Sequence, residues 1–365
     1  MQHEIVNAHD LLLPDGSLAE CGWARKPLLR YNREHICYPP KRFKEWHYFF
    51  CGDEGFGIGF SIANVGPLHN FSLSFIDFRN KVQVNNSSIC SAKNSVMVMP
   101  EDAYGSLRFK GDTAECQVTG GREKILFKAE WKNFRAKDTL SIDFTLYMPA
   151  GDTLYHCFPF TEKKGQFFYA HKMDNIRLGG SFSLGDLRYN FNPENAFAVQ
   201  DWGRGVWPSA THAYWGGGNG LAEGKPFSFN IGYDYQFSDT SAATENALFY
   251  GGKLHKLEEV VFHVDEAQAE WLKPWTFTSS DGRFEMRMEP VLDRHTKGPL
   301  GPSHQVFGYY SGTATLDNGK KLSIDKLFGF AEKNVYRWKF VENNVAPLFS
   351  LASFFGRLLG KSGRA

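Results

Sequence analysis

Short runs that alternate apolar and polar residues recur along the whole chain, and Gly, Asp or Asn bounds most of them. Apolar residues at helical spacing are rare before residue 347. Period-two alternation is typical of strands with one buried face, so the pattern predicts an all-β fold. The predicted strands are residues 46–50, 57–62, 72–78, 95–99, 106–110, 124–131, 139–148, 167–172, 227–235, 259–264, 283–289, 306–316 and 321–324.

Dipeptides that favour tight turns lie between the later runs. Gly251-Gly252, Asp281-Gly282 and Asn318-Gly319 each separate two alternating segments. Two-residue hairpin turns need positive φ, which glycine and asparagine adopt readily. These positions therefore predict antiparallel hairpins between strands that follow each other in sequence.

So many strands exceed what one small barrel uses and suit two antiparallel barrels, or a barrel and a sandwich. The pattern is interrupted at 149–152 and again at 161–165. We therefore predict an N-terminal β-barrel domain over residues 1–160 and a C-terminal one over residues 161–342.

The tail, residues 343–365, has a different pattern. Leu348, Leu351, Phe355 and Leu358 recur at helical spacing after Pro347, and Lys361 and Arg364 follow. This predicts a short amphipathic C-terminal helix. Two interpretations stay open: the helix packs on the body of the protein, or it makes a peripheral contact with a membrane or partner.

Composition excludes several classes of function. The chain has 365 residues, 42% hydrophobic and 16% aromatic, which is enough to form sizeable cores. The formal net charge is +1 and no Lys/Arg-rich block occurs, so a nucleic-acid partner is not expected. No run reaches the roughly 18 apolar residues of a membrane-spanning helix.

The six cysteines all lie before residue 160, with no CxxC pair and no zinc-type spacing. The first ten residues lack the apolar segment of a secretory signal. The thiols are therefore expected to be free in a reducing, cytoplasmic compartment. No metal-ligand, phosphate-loop, dinucleotide or nucleophile-elbow motif is present, so we expect no cofactor and no metal.

The densest group of chemically useful side chains lies in the stretch 201–215. It contains Asp201, Trp202, Arg204, Trp207, His212, Tyr214 and Trp215. An aspartate beside indole rings could have a raised pKa and act as a general acid. The simpler alternative is an ion pair between Asp201 and Arg204.

His212 precedes a triple glycine, Gly216-Gly217-Gly218, which suggests a turned or mobile loop at a pocket mouth. His212 is a candidate base there, and the simpler alternative is a hydrogen-bonded loop histidine.

Two other segments mix polar and aromatic groups. Glu245 and Asn246 stand at a predicted strand start, where they either reach a pocket or cap a turn. Trp46 and Tyr48 share one face of the first strand and are candidate ligand contacts. Glu332 is a further candidate, close to Trp338 in sequence.

These motifs together carry a family resemblance. Gly22-Trp-Ala24, Lys44-Glu-Trp46, the segment 201–208 (DWGRGVWP), Thr244-Glu-Asn-Ala247 and Gly329-Phe-Ala-Glu332 resemble the family called domain of unknown function 2804, over residues 10 to about 340. That family is distantly similar to the two-barrel, lipocalin-like group of carotenoid hydratases and tocopherol cyclases. The resemblance implies two tandem lipocalin-like barrels, a ligand site in or between them, and Asp201, Trp202, Trp207 and His212 as the nearest candidate set.

Three functions are therefore predicted as alternatives. The first is binding of a hydrophobic small molecule, such as a lipid or isoprenoid, in an aromatic pocket. The second is general-acid catalysis of hydration, cyclisation or isomerisation of an unsaturated lipid-like substrate, without a cofactor. The third is a carbohydrate-binding or glycan-active protein, which could pair Asp201 with Glu245.

Overall fold

The structure is a computed structural model, and it describes residues 2–266, 269–298 and 300–343. Those residues form an all-β fold with one short α-helix, α1, Trp338–Asn343. Three single-turn 3₁₀ helices lie at Arg33–His35, Pro40–Arg42 and Ala92–Asn94.

The strands before residue 207 are β1 (His9–Asp10), β2 (Gly22–Ala24), β3 (Leu29–Arg30), β4 (Phe43–Gly52), β5 (Phe56–Asn64), β6 (Leu68–Asp77), β7 (Val82–Ser91), β8 (Leu107–Lys110), β9 (Ala114–Thr119), β10 (Lys124–Arg135), β11 (Asp138–Tyr147), β12 (Leu154–Pro159), β13 (Phe167–Leu184), β14 (Leu187–Phe191) and β15 (Phe197–Val206). The later strands are β16 (Thr211–Ala222), β17 (Lys225–Tyr233), β18 (Ala247–Tyr250), β19 (Lys253–Lys256), β20 (Val260–His263), β21 (Trp275–Ser279), β22 (Phe284–Thr296), β23 (Ser303–Thr315) and β24 (Lys321–Tyr336).

The chain divides into two compact units, each built from several segments. Within the described residues, the first unit comprises the chain up to Cys37, Pro149–Asn175 and Gly205–Trp338. The second unit comprises Tyr38–Met148, Ile176–Arg204 and the residues from Lys339 onward. Both units draw on both halves of the sequence, and the division at residue 160 stays a prediction.

The first unit contains a nine-stranded antiparallel sheet in the order β19-β18-β17-β16-β24-β23-β22-β21-β20. All three predicted glycine turns are present as hairpins: Gly251 and Gly252 join β18 to β19, Gly282 precedes β22, and Gly319 precedes β24, each with positive φ. The inner face of the sheet carries the apolar alternation, and Phe229 packs edge-on against Tyr310 at 4.9 Å between ring centroids. Burial of that alternating face holds this sheet together.

The strands of the second unit belong to a sheet that has 13 strands among the described residues, in the order β7-β6-β5-β4-β15-β13-β11-β10-β9-β8; β12 and β14 pair with β13, and β2 pairs with β12. The core of the second unit contains packed phenylalanine and tryptophan rings. The ring centroids of Phe60 and Phe127 are 3.7 Å apart, and those of Phe71 and Trp131 are 5.2 Å apart. These rings lie on the buried faces of β5, β6 and β10, where apolar residues recur at every second position, as the alternation predicts.

The all-β prediction and the prediction of two β-barrel halves are confirmed. The predicted strand at 95–99 is wrong, because residues 95–99 pair with no strand although Met97 and Met99 are buried and Val96 and Val98 exposed. The alternating burial there belongs to a chain segment that packs on the core without forming the backbone hydrogen bonds of a sheet. The predicted amphipathic helix in the tail lies outside the described residues.

Two further expectations concern cysteines and membranes. None of the six cysteines, all of which lie in the described part of the chain, forms a disulfide. Among the residues that the structure describes, no helix has the length and apolar character needed to cross a membrane.

Candidate functional site

The stretch 201–215 forms parts of two strands, β15 and β16, joined across residues 207–210. The triple glycine is therefore in the middle of a strand, and the predicted loop at a pocket mouth is wrong. A Cβ atom at Gly218 would lie 2.8 Å from the Phe229 ring, and one at Gly216 would lie 3.0 Å from the carbonyl oxygen of Phe330. The glycines thus let neighbouring groups approach the backbone closely, which is a recurrent use of glycine within strands.

Asp201 lies in the second unit and is 7% exposed. The indole Nε1 of Trp46 donates a hydrogen bond to Asp201 Oδ2 at 3.0 Å. Gly203 makes room for that indole, since a Cβ atom there would lie 2.1 Å from the Trp46 ring. Asp201 is thus packed against a strand neighbour within its own unit, and its role as an acid stays a prediction.

Arg204 is fully buried beside it. Its guanidinium donates to the carbonyl oxygens of Trp46 and Pro100, both at 2.8 Å, and lies 3.9 Å from the centre of the Trp202 ring. Carbonyl dipoles and an aromatic face stabilise the buried cation. Arg204 and Trp202 therefore tie the segment around residue 100 to β4 and β15.

His47, also fully buried, gives this region a predicted pH dependence. Burial and the nearby Arg204 lower the pKa of His47 to about 3, and the Gln200 side-chain amide hydrogen-bonds to its Nε2, which suits a neutral ring. The unfolded chain has a histidine pKa near 6.5, so between pH 6.5 and pH 3 it binds a proton that the folded protein does not. Stability is therefore lost as the pH falls.

Lowering the pH from 7 to 5 should reduce the free energy of unfolding by about 2 kcal/mol through His47 alone. Urea unfolding at both pH values measures this, comparing the wild type with His47→Gln, whose side chain does not titrate. A variant as pH-sensitive as the wild type would show that His47 is not responsible.

In the first unit, Glu245 is the centre of a buried polar cluster. The Glu245 side chain is 1% exposed, and Lys172 Nζ lies 2.8 Å from Glu245 Oε2. The hydroxyl of Tyr235 donates to Glu245 Oε1. Removing two charges from water is costly unless each is paired and hydrogen-bonded, and here both conditions hold for the carboxylate.

His156 lies next to this ion pair. Its Nε2 lies 3.7 Å from Glu245 Oε2, and its ring is fully buried beside Phe158 and Phe168. Burial, followed by the positive charges of Lys172 and Lys256, lowers the pKa of His156 well below its ordinary value. His156 is therefore a neutral imidazole next to an ion pair.

An amide and an indole complete the cluster. Asn230 Nδ2 donates to the backbone oxygen of Glu245 at 2.6 Å, and Trp215 Nε1 donates to Asn230 Oδ1 at 2.7 Å. The ammonium of Lys172 lies 4.4 Å from the centre of the Trp215 ring. Trp215 thus both orients Asn230 and places a π face against the lysine.

Glu245 faces a cleft of about 250 Å³. The lining comes from β17, the segment between β17 and β18, Glu259 just before β20, β20 itself, and one residue of β12. The lining residues are Phe158, Gly232, Tyr233, Asp234, Tyr235, Ser238, Thr240, Thr244, Glu245, Asn246, Glu259, Val260 and Val261. A carboxylate and a phenol hydrogen-bonded to each other therefore meet a space large enough for a small molecule.

Among the other polar residues predicted from the sequence, Asn246 lines this cleft, whereas His212 and Glu332 do not. Asn246 lines it and is held by two hydrogen bonds, accepting from Gly232 N at 2.7 Å and donating to Glu258 O at 3.0 Å. His212 is partly exposed and pairs with Asp234, itself a lining residue, at 2.8 Å. Glu332 accepts a hydrogen bond from Gln305 at 2.8 Å and is not among the lining residues.

The remaining aromatic candidates are not among the lining residues of the cleft. Tyr214 lies in the core of the first unit, 5.6 Å from Phe262. Trp207 packs 4.8 Å from Phe168, which places it next to the cluster without lining the cleft. Tyr48 is half-buried on β4 in the second unit.

Of the residues in and around this cluster, Glu245, Asn246, Trp215 and His212 are predicted from the sequence, whereas Lys172, His156, Tyr235 and Asn230 are not. One signal was available for Lys172, which shares the apolar face of the predicted strand 167–172 with Phe168. A lysine on a buried strand face needs a partner. His156 is not predicted because no strand is predicted between residues 148 and 167, whereas β12 occupies residues 154–159.

Gly232 provides a test of the cleft geometry, because a Cβ atom there would lie 2.2 Å from Glu245 Oε1. Gly232→Ala should displace the carboxylate and lower the free energy of unfolding by about 1–3 kcal/mol. The matched control is Gly59→Ala, also within a strand, where the nearest atom would be 3.6 Å away. Chemical denaturation of both variants measures the difference, and equal stability would contradict this packing.

No group of three or more His, Cys, Asp or Glu side chains suited to a metal ion occurs among the residues that the structure describes. The cluster around Glu245 combines instead a carboxylate, an ammonium, a phenol and a neutral imidazole. These groups can donate and accept protons, as general acid–base catalysis requires.

The two antiparallel sheets define the class as a two-barrel, lipocalin-like protein. Within that class, the chain belongs to the family described as domain of unknown function (DUF2804), whose model matches residues 2–338.

A solved structure with the same fold has low sequence identity to this chain. Kievitone hydratase from Nectria haematococca is similar with a TM-score of 0.54 and 13% identity, over 83% of this chain and 94% of that one. A putative AttH from Nitrosomonas europaea gives a TM-score of 0.49 and 14% identity, over 81% and 93% of the two chains. A comparison with curated protein sequences gave no match.

Proposed function

We propose that this protein is an enzyme that adds, removes or relocates protons on a small unsaturated substrate, as hydratases, cyclases and isomerases do. The observation that carries the proposal is the buried Glu245–Lys172 pair, hydrogen-bonded to Tyr235 and opening onto the cleft. A protein that only binds an apolar ligand gains nothing from such a pair, because its desolvation is costly.

Glu245 is the proposed acid–base residue. Its carboxylate, paired with Lys172 at 2.8 Å, can accept a proton from water or from a substrate C–H bond. In a hydration, the oxygen of that water bonds to one alkene carbon while Glu245 takes the proton. Glu245 then returns the proton to the other carbon, so the net change is addition of H and OH.

Tyr235 is the second side chain that we propose contacts the reacting atoms of the substrate. Its hydroxyl donates to Glu245, and its side chain lines the cleft. A phenol in that place can polarise a substrate oxygen or pass on the proton that Glu245 receives. Lys172 and His156 do not line the cleft and are positioning residues, since they act on a substrate only through Glu245.

The lining supports a substrate with both apolar and polar parts. Phe158, Val260 and Val261 offer apolar surface, whereas the hydroxyls, the carboxylates and Asn246 make much of the rest polar. At about 250 Å³ the cleft is slightly smaller than the usual drug-sized pocket, so it suits a small molecule or the reactive end of a longer one. Kievitone hydratase has the same fold, so a protein with this fold can be a hydratase.

Isotope incorporation tests the proposal without knowledge of the substrate. The purified protein is incubated with a metabolite extract in H₂¹⁸O and, separately, in D₂O, and products are compared by mass spectrometry with a heat-inactivated sample. A hydratase adds ¹⁸O to one metabolite, and an isomerase or cyclase adds deuterium. If no compound gains either isotope in extracts from several sources, the protein is a binder and the proposal fails.

A further inference from the structure

The cleft in front of Glu245 has a one-sided charge pattern. Its lining includes three carboxylates, Asp234, Glu245 and Glu259, and no Lys, Arg or His is among the lining residues that the structure describes. Ionised carboxylates only accept hydrogen bonds. The hydroxyls of Tyr235, Ser238, Thr240 and Thr244 can adapt to either partner.

Two lysines contact residues of the cleft lining without being lining residues themselves. Lys172 Nζ pairs with Glu245 and lies over the Trp215 ring. Lys256 Nζ donates to Thr244 Oγ1 at 2.8 Å and to the backbone oxygens of Asn246 at 2.7 Å and Leu257 at 2.9 Å. Three acceptors use its three protons, and desolvation lowers the pKa of Lys256 well below its ordinary value. Neither lysine therefore presents an ammonium to a ligand in the cleft.

The three carboxylates of the lining differ in their partners and in their exposure. Glu245 accepts from Lys172 and Tyr235, and Asp234 is paired with His212. Glu259 is exposed at the edge of the cleft, next to the buried Val260 of β20. A ligand that fills the cleft thus meets a carboxylate at its edge and another at its inner end.

We propose that the cleft selects an uncharged, apolar molecule that carries at least one hydroxyl donor, and that it rejects anionic ligands. This inference takes the cleft as the substrate site, so it rests on the proposed function. A hydroxyl on the ligand gives the carboxylates a donor, whereas a carboxylate or sulfate on the ligand is repelled and finds no cation to pair with. The apolar framework packs against Phe158, Val260 and Val261.

Three naphthalene probes separate the contributions. At pH 7, 2-naphthol is neutral and carries a donor, 2-methoxynaphthalene is neutral without a donor, and 2-naphthoate is an anion of similar size. Equilibrium binding is measured by ligand-observed NMR and calorimetry. We expect 2-naphthol to bind about 10-fold more tightly than either of the others, because a hydrogen bond to a charged group contributes about that factor.

A pair of charge-reversal variants assigns the effect to the cleft. Glu259→Lys should raise the affinity for 2-naphthoate relative to 2-naphthol by about 10-fold. Glu223→Lys makes the same change in net charge at the other end of β17, roughly 25 Å from Gly232, and should leave the ratio unchanged. Both side chains are on the surface, so both variants are expected to fold.

Tighter binding of 2-naphthoate than of 2-naphthol, equal effects of the two variants, or no binding of any probe would each overturn the proposed selectivity. These measurements involve no turnover. A protein that shows the predicted probe preference but incorporates no isotope would retain the ligand class and lose the enzymatic proposal, and the reverse result would do the opposite.

Discussion

Glu245→Gln is expected to slow turnover by about 10³-fold on whichever metabolite gains isotope, because general acid–base groups contribute about 10²–10⁴-fold. Glutamine keeps the size of the side chain and can still accept from Tyr235, but it cannot take up a proton at neutral pH. The rate of isotope incorporation under initial-rate conditions measures the effect.

Two controls make this result specific. Glu223→Gln removes a surface carboxylate that pairs with Lys320, and it should retain full activity. Circular dichroism and the unfolding midpoint show whether Glu245→Gln is folded at the assay temperature. A folded Glu245→Gln protein with more than a tenth of the wild-type rate would exclude Glu245 as the proton-transferring residue.

Lys172→Met should lower the free energy of unfolding by about 3–5 kcal/mol, because it leaves the Glu245 carboxylate buried without its cation. Methionine follows the path of the lysine stem, so the loss of charge dominates over the loss of packing. Urea unfolding followed by tryptophan fluorescence measures the change.

Two comparisons distinguish this from a general effect of removing a lysine. Lys128→Met breaks the pair with Asp143, where the side chains are 63% and 62% exposed, and should cost less than about 1 kcal/mol. The double variant Lys172→Met/Glu245→Gln removes both charges and should be more stable than Lys172→Met alone. A loss below 1 kcal/mol for Lys172→Met would mean that the pair is not buried in solution.

Much of the fold could be predicted because strand periodicity is local. The alternation in residues 124–131 and 139–148 predicts the hairpin of β10 and β11, and the glycine turns predict three more hairpins. Period-two alternation cannot reveal strands that are buried on both sides and rich in glycine. For that reason the stretch 201–215 is interpreted from the sequence as a pocket lining, although it belongs to β15, where nine of ten residues are buried, and to β16, where eight of twelve are.

The candidate site was harder to predict because its residues come together only through tertiary structure. His156 and Lys172 face Glu245 from strands that are more than 70 residues away in sequence. The local density of aromatic and charged residues instead favours Asp201, which accepts a hydrogen bond from Trp46 within the second unit. Of that dense stretch, Trp215 reaches the cluster, through Asn230 and Lys172.

The most direct test of the central claim is a parallel incubation of the wild type, Glu245→Gln and Glu223→Gln with one metabolite extract in H₂¹⁸O and D₂O. We predict that the same compound gains isotope with the wild type and with Glu223→Gln, and that this gain is lost with Glu245→Gln. Equal isotope incorporation by all three proteins would contradict the assignment of acid–base chemistry to the buried Glu245 cluster.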